Sequence, residues 1–307
     1  MRIAIMGSGG VGGYFGARLA AAGVDVTFVA RGAHLAAMHA AGLRIRSVVG
    51  DLHLKPVQAT DDTSTIGPAD FVLFAVKLWD TQNAAIACRP LLGPNTAVIP
   101  FQNGVEAVGV LTRHLGAQAV LGGVAHIAST IAEPGVIAHT GTLARLTFGE
   151  LDGKPSSRTD ALLAACQSAG FEARISDGIQ EEIWRKFVFL VGISGLTAVT
   201  RKSAGELRAD PDIRPVLRRA MEETRLVANA KGVAVAADYV EQTLQFIDGL
   251  VPAMKSSMLN DLENGRRLEA PWLCGAVARM AAECGIDAPV NATIYAALKP
   301  YIGGRGG

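Results

Sequence analysis

Along the first half of the chain, short apolar runs alternate with segments whose apolar residues recur every three or four positions. The runs at residues 2–6, 25–30, 71–76, 97–101 and 119–125 predict strands, and residues 11–22 predict a helix between the first two. Further β-like segments are expected at 135–139 and 142–149, then a helix over 156–169 with Ser156 and Ser157 as candidate caps, then a strand at 171–175. Such alternation implies a mostly parallel sheet wrapped by helices. After about Asp177 no alternating segment remains, only helical periodicity cut by Gly and Pro. Helices are expected at 179–191, 214–231, 236–258, 272–284 and 290–299, with a loose tail after Tyr301. The pattern therefore predicts an α/β domain over residues 1–177 followed by an all-helical domain over 178–307.

Composition narrows the class without changing the layout. At 307 residues the chain is long enough for two domains, and with half its residues hydrophobic and 19% charged it reads as a globular enzyme. A formal net charge of +1 argues against bulk binding to nucleic acid or a membrane surface, so any anion recognition must be local. Cys88, Cys166, Cys274 and Cys284 lie far apart with no C-x-x-C pair, which indicates neither a zinc site nor a disulfide framework. The histidines form no metal pattern, and no H-E-x-x-H, nucleophile elbow or P-loop lysine occurs. The early apolar stretch is cut by glycines, unlike a signal peptide, and the run at 187–199 is too short to span a bilayer, so a cytoplasmic protein is expected.

Chemistry enters at the first strand's end. Gly7-Ser8-Gly9-Gly10-Val11-Gly12 matches G-x-G-x-x-G between a strand and a helix, the setting that makes this motif a dinucleotide fingerprint of a Rossmann-type domain. Gly7 permits the tight turn, Gly9 lets a pyrophosphate approach the backbone, and Gly12 lets helix and strand pack closely. The second strand ends Val29-Ala30-Arg31-Gly32, with no carboxylate to take a ribose 2′-hydroxyl. Arg31 offers permanently charged planar donors to a 2′-phosphate, which favours NADP(H) over NAD; a solvated loop charge is the plain alternative.

In the second half, Glu181 to Leu190 places Lys186 at the threshold of a long apolar run. Desolvation there would lower its pKa and ready the ammonium to protonate a carbonyl as a hydride arrives. A lysine that snorkels out of an amphipathic helix fits the spacing equally well. Lys77 and Asn103-Gly104 each follow an apolar strand, where ligands bind in open α/β sheets, though turns also favour such residues. Ser256-Ser257-Met258 falls in an expected helix, and Glu269 precedes a helix start, where a carboxylate usually serves the helix dipole.

Taken together, the loop Gly7 to Gly12, Arg31, Lys77 before Trp79, Asn103-Gly104, Trp184-Arg185-Lys186, Ser256-Ser257-Met258 and Glu269 resemble the ketopantoate reductase (2-dehydropantoate 2-reductase) family over nearly the whole chain. The resemblance implies NADPH delivering hydride to C2 of a 2-oxo acid to give an (R)-2-hydroxy acid, in the family's case 2-dehydropantoate to (R)-pantoate in pantothenate biosynthesis. It implies Lys186 as general acid, Asn103 orienting cofactor and substrate, Ser257 contacting the substrate carboxylate, Glu269 binding the nicotinamide ribose, and Lys77 and Ala128 lining the cofactor. Where better-known members carry pocket asparagines, this chain has Leu190, Ser194, Ala204 and Met254. Fewer hydrogen bonds there keep open a reductase of a more apolar, branched or aromatic 2-oxo acid. A non-catalytic NADP(H) sensor is the reading from another class, and a homodimer is one arrangement the Ala-rich helical half would suit.

Overall fold

A computed structural model describes residues 1–305. It resolves into two compact units, one of Met1–Gln102 with Glu106–Ile179, the other of Asn103–Val105 with the chain from Gln180 onward. The first unit runs β1 (Arg2–Met6), α1 (Gly10–Ala21), β2 (Asp25–Val29), α2 (Gly32–Ala41), β3 (Leu43–Ser47), β4 (Leu52–Leu54), β5 (Ala59–Thr60) and β6 (Phe71–Phe74). It continues through α3 (Thr81–Ala87), β7 (Ala97–Pro100), α4 (Ala107–Leu115), β8 (Gly122–Glu133), β9 (Val136–Gly149), α5 (Ser157–Ser168) and β10 (Glu172–Ile175).

Five strands form a parallel sheet in the order β5-β2-β1-β6-β7. Strands β6 (Phe71–Phe74) and β7 (Ala97–Pro100) are apolar and buried along their whole length because both faces are covered. In β1, Ile3 and Ile5 join one core and Ala4 and Met6 the core on the opposite face. The chain leaves β1 toward β2 on one side and returns as β6 on the other, which makes the carboxyl end of β1 a topological switch point. Met6 pairs with both Val29 and Phe74, and Phe74 with Pro100. The loops bearing Gly7, Arg31 and Lys77 thus leave three neighbouring strands, β1, β2 and β6, at one edge of the sheet.

The second sheet differs from the expected pattern. The strand expected at 119–125 begins at Gly122, after a 3-10 turn at Ala117–Ala119, and runs on to Glu133. The two β-like segments at 135–139 and 142–149 are one strand, β9, and β8 and β9 form a long hairpin turning at Gly135. The gap between those segments corresponds to an irregularity: Ile127 pairs with Ala144 but Ser129 pairs with His139, so four residues of β9 stand against the single Ala128. Bulges of this kind re-aim the side chains beside them.

The second unit contains α6 (Ile179–Thr200), α7 (Ala204–Ala209), α8 (Ile213–Ala230), α9 (Tyr239–Asp248), α10 (Ser257–Glu263), α11 (Cys274–Glu283) and α12 (Pro289–Leu298). No strand is present there among the described residues. Helix α6 outruns its expected end at Val191 because the apolar run continues it, and it stops where Arg201 takes a left-handed φ of 58°. By length and composition α6 could cross a membrane, yet 67% of its most apolar stretch is buried inside the protein, as in a core helix. The single helix expected over 236–258 is two helices. Gly249 ends α9, and Pro252, which has no N–H to donate, interrupts the pattern. The freed carbonyls of Pro252 and Met254 accept from the N–H groups of Gly205 and Ala204 at 3.0 and 2.9 Å. Ser256 then caps α10 by accepting from the N–H of Leu259.

Candidate active site

The glycine loop crosses the switch point, and its glycines are there for different reasons. Gly7 has φ 98°, and a Cβ on it would lie 2.7 Å from the backbone nitrogen of Val76 beyond β6. A Cβ on Gly12 would meet the carbonyl oxygen of Gly7 at 2.2 Å and the side chain of Ile5 at 2.8 Å, so α1 sits on β1 only because that side chain is missing. Gly10 is pinned the same way by Ser129 of β8, 2.3 Å from its ideal Cβ. Gly9 differs: its backbone is ordinary (φ −74°) and a Cβ there meets nothing within 4 Å. The fold does not require glycine at that position, whereas a phosphate approaching the backbone does. It caps α1 with no side-chain hydrogen bond, and no acidic residue occupies the first turn, which leaves the positive end of the helix to an anion.

The loop is anchored from behind. The N–H groups of Gly7 and Ser8 both donate to the carbonyl of Val29, and the buried Ser8 hydroxyl donates to the same oxygen at 3.0 Å, so this side chain faces the sheet. Val11 is half-buried in the first turn of α1. His34 of α2 holds the loop from another direction. Its Nδ1 accepts from the N–H of Gly135 at 3.0 Å, so Nε2 carries the proton and donates to the carbonyl of Ser8 at 2.9 Å. Burial lowers its pKa, an effect the Ser8 bond partly opposes, and the neutral ring ties glycine loop, α2 and hairpin turn together.

Arg31 precedes α2 with its side chain 71% exposed and donates to Asp80 Oδ2 at 2.9 Å. Asp80 lies on a 3-10 turn, Leu78–Asp80, directly after Lys77. The Lys77 ammonium sits over the Trp79 ring, 5.5 Å from its centre. Ala128 is exposed at the hairpin irregularity. Neither Asp80 nor His34 stood out in the sequence. Asp80 lies 49 residues from Arg31, and His34 belongs to a helix whose apolar spacing is too weak to announce it.

Within the helical unit the structure joins three expected residues. Lys186 Nζ donates to Asn103 Oδ1 at 3.2 Å, and Asn103 Nδ2 donates to Glu269 Oε2 at 3.4 Å. The charges on either side fix the amide's orientation, oxygen toward the ammonium and nitrogen toward the carboxylate. Asn103 reaches this position through Gly104, whose φ of 80° suits a residue without a side chain. Burial drives the Lys186 pKa down to about 8, against the pull of the Glu269 charge, so the ammonium can give up its proton near neutral pH. Glu269 precedes the turn Ala270–Trp272 without capping it; the buried carboxylate turns to Asn103 instead.

The remaining expected residues lie on α6, at the starts of α7 and α10, and in the segment before α10. Leu190 and Ser194 follow Lys186 at intervals of four on one face of α6. Leu190 is half-buried, while Ser194 is fully buried with its hydroxyl unpartnered. Ser257 lies exposed in the first turn of α10, not inside a long helix, and its neighbour Ser256 is buried with its hydroxyl 2.6 Å from that of Thr197 on α6. Ala204 is buried at the start of α7 and Met254 half-buried.

A glycine-rich loop of the dinucleotide-fingerprint pattern at the switch point of a parallel sheet, followed in the chain by helices that carry a lysine with a lowered pKa, fits one class: an NADP-type oxidoreductase acting on a carbonyl. The chain belongs to the ketopantoate reductase family. Residues 3–153 match the family described as Ketopantoate reductase PanE/ApbA, and residues 178–301 match its C-terminal counterpart. The 2-dehydropantoate 2-reductase of Mesorhizobium japonicum is 33% identical over 90% of each chain. An uncharacterized oxidoreductase of Bacillus subtilis, YkpB, is 31% identical over 98% of this chain and 99% of its own. The crystal structure of a PanE/ApbA family ketopantoate reductase from Ralstonia eutropha superimposes with a TM-score of 0.89 at 35% identity, covering 98% of each chain.

Proposed function

We propose that the protein reduces 2-dehydropantoate (ketopantoate) to (R)-pantoate with NADPH, a step of pantothenate biosynthesis, as a soluble cytoplasmic enzyme. The observation that carries the reading is the hydrogen-bonded series Lys186, Asn103, Glu269, with the lysine pKa brought to about 8. NADPH, when bound, supplies a hydride to C2 of the 2-oxo acid. Lys186 donates its ammonium proton to the carbonyl oxygen as charge builds there, which gives the alcohol and leaves a neutral amine. Asn103 holds that ammonium in place and offers its amide to the reacting centre. Glu269 anchors Asn103 and favours the charged lysine. Ser257, Leu190 and Ser194 are assigned to the substrate side, with Ser257 for the carboxylate.

On the cofactor side, the loop from Gly7 to Gly12, with Ser8, Gly9, Gly10 and Val11 between, offers backbone N–H groups to the pyrophosphate. Arg31 takes the 2′-phosphate, and Lys77, Ala128, Asn103 and Glu269 line the rest. The open space at Gly9 and the uncapped α1 support this fit. The test is a panel of 2-oxo acids assayed by NADPH oxidation, with NADH in parallel. The expected outcome is the highest kcat/KM for ketopantoate with NADPH. A clear preference for a branched or aromatic 2-oxo acid would replace this substrate with one suited to the apolar Leu190 and Met254.

A further inference from the structure

We propose that Asp80 sets how strongly the protein prefers NADPH over NADH, by competing with the adenosine 2′-phosphate for Arg31. This rests on the reading of Arg31 as the 2′-phosphate site. The two residues leave the sheet from strands on opposite sides of β1, Arg31 after β2 and Asp80 on the turn after β6, and their ion pair lies at the edge where the glycine loop emerges. The Asp80 N–H donates to the carbonyl of Lys77 at 2.9 Å, which fixes the turn, and the carboxylate is only 28% exposed. Arg31, by contrast, is held at its tip by one oxygen at 2.9 Å and is otherwise in solvent.

The consequences for the two cofactors are unequal. A ribose with a free 2′-hydroxyl brings no charge, leaves the ion pair intact, and can donate to a carboxylate. A 2′-phosphate carries nearly two negative charges and must share the guanidinium with a carboxylate of the same sign. The arginine fork has five N–H donors, so sharing is geometrically feasible, but the repulsion between phosphate and carboxylate remains. Asp80 therefore acts against NADPH and is neutral or favourable toward NADH. It narrows a preference that Arg31 alone would make wide. For a partly exposed charge opposing a dianion the effect on affinity is about 3- to 10-fold, larger at low ionic strength.

The experiment is fluorescence titration of the full chain with NADPH and with NADH at low salt, comparing wild type, Asp80→Asn and Arg31→Ala. A circular dichroism spectrum confirms that each variant is folded. Asp80→Asn should tighten NADPH about 3- to 10-fold, leave NADH within about twofold, and lose most of its effect in high salt. Weaker NADPH binding in Asp80→Asn, or an equal shift for both cofactors, would overturn the competition and make Asp80 a positioning partner of Arg31. Arg31→Ala tests the underlying reading separately: it should weaken NADPH at least tenfold and spare NADH. Unchanged NADPH affinity in that variant would remove both the 2′-phosphate assignment and the proposal built on it.

Discussion

Two polar clusters inside the helical unit show how differently burial can act on charge. At Glu223, fully buried on α8, the carboxylate accepts from the N–H groups of Val290 and Asn291 at 3.0 Å each and from the Asn291 side chain at 2.8 Å. The acceptor sits at the positive end of α12, where Pro289 begins the helix, and Arg219 stands 3.6 Å away one turn earlier on α8. Here the charge is surrounded by donors, and the cluster fastens α12 to α8. At Lys186 the contacts are longer, 3.2 Å to Asn103 and 3.4 Å from there to Glu269, and burial outweighs the attraction of the carboxylate. The first cluster uses a buried charge to hold structure. The second leaves a proton ready to move.

That contrast can be broken experimentally, and the largest effect is expected at the lysine. Lys186→Ala removes the proton donor and should lower kcat by about 10²- to 10⁴-fold while NADPH affinity, read by titration, stays within about twofold. Turnover that survives the substitution would place Lys186 with the structural charges. Next comes Glu223→Ala, which strands the α12 N–H groups and the Asn291 amide. It should cost about 3 kcal/mol of stability in urea unfolding, with kcat per folded molecule unchanged. If instead kcat fell and stability held, the two clusters would have exchanged roles. The pH profile gives the smallest effect and the finest distinction. Reduction needs the ammonium, so its rate should fall with pH above about 8, up to tenfold per unit, and oxidation of the hydroxy acid, which needs the neutral amine, should rise through the same range. A flat reductive profile to pH 10 would show that the Lys186 proton is not the one transferred.

The glycine loop was legible because everything it needs is local: an apolar strand, a tight turn and a helix start fall within a dozen residues. The position of Arg31 at the end of β2 was legible for the same reason, as was the all-helical character of the second half. Less was legible wherever distant segments meet. The β8 and β9 hairpin looked like separate pieces because Ala128 opposes four residues and interrupts the alternation. The helix expected over 236–258 has helical periodicity throughout, but Pro252 and the bonds to Ala204 and Gly205 break it, and that moves Ser257 from the end of one helix to the exposed first turn of another. Snorkelling and burial were equally compatible with Lys186 because one helix face cannot report what packs against it.

By itself the sequence determined the kinds of element and the glycine turn between β1 and α1, since these depend on backbone preference and on periodicity over a few turns. Tertiary structure alone decided which polar groups meet. It joined Asn103 to Glu269 across 166 residues, set Asp80 on Arg31 across 49, and surrounded Lys186 densely enough to bring its pKa to about 8. The physical reason is that desolvation and Coulomb interaction depend on distance in space, and chain order constrains that distance only weakly once the segments have folded against one another.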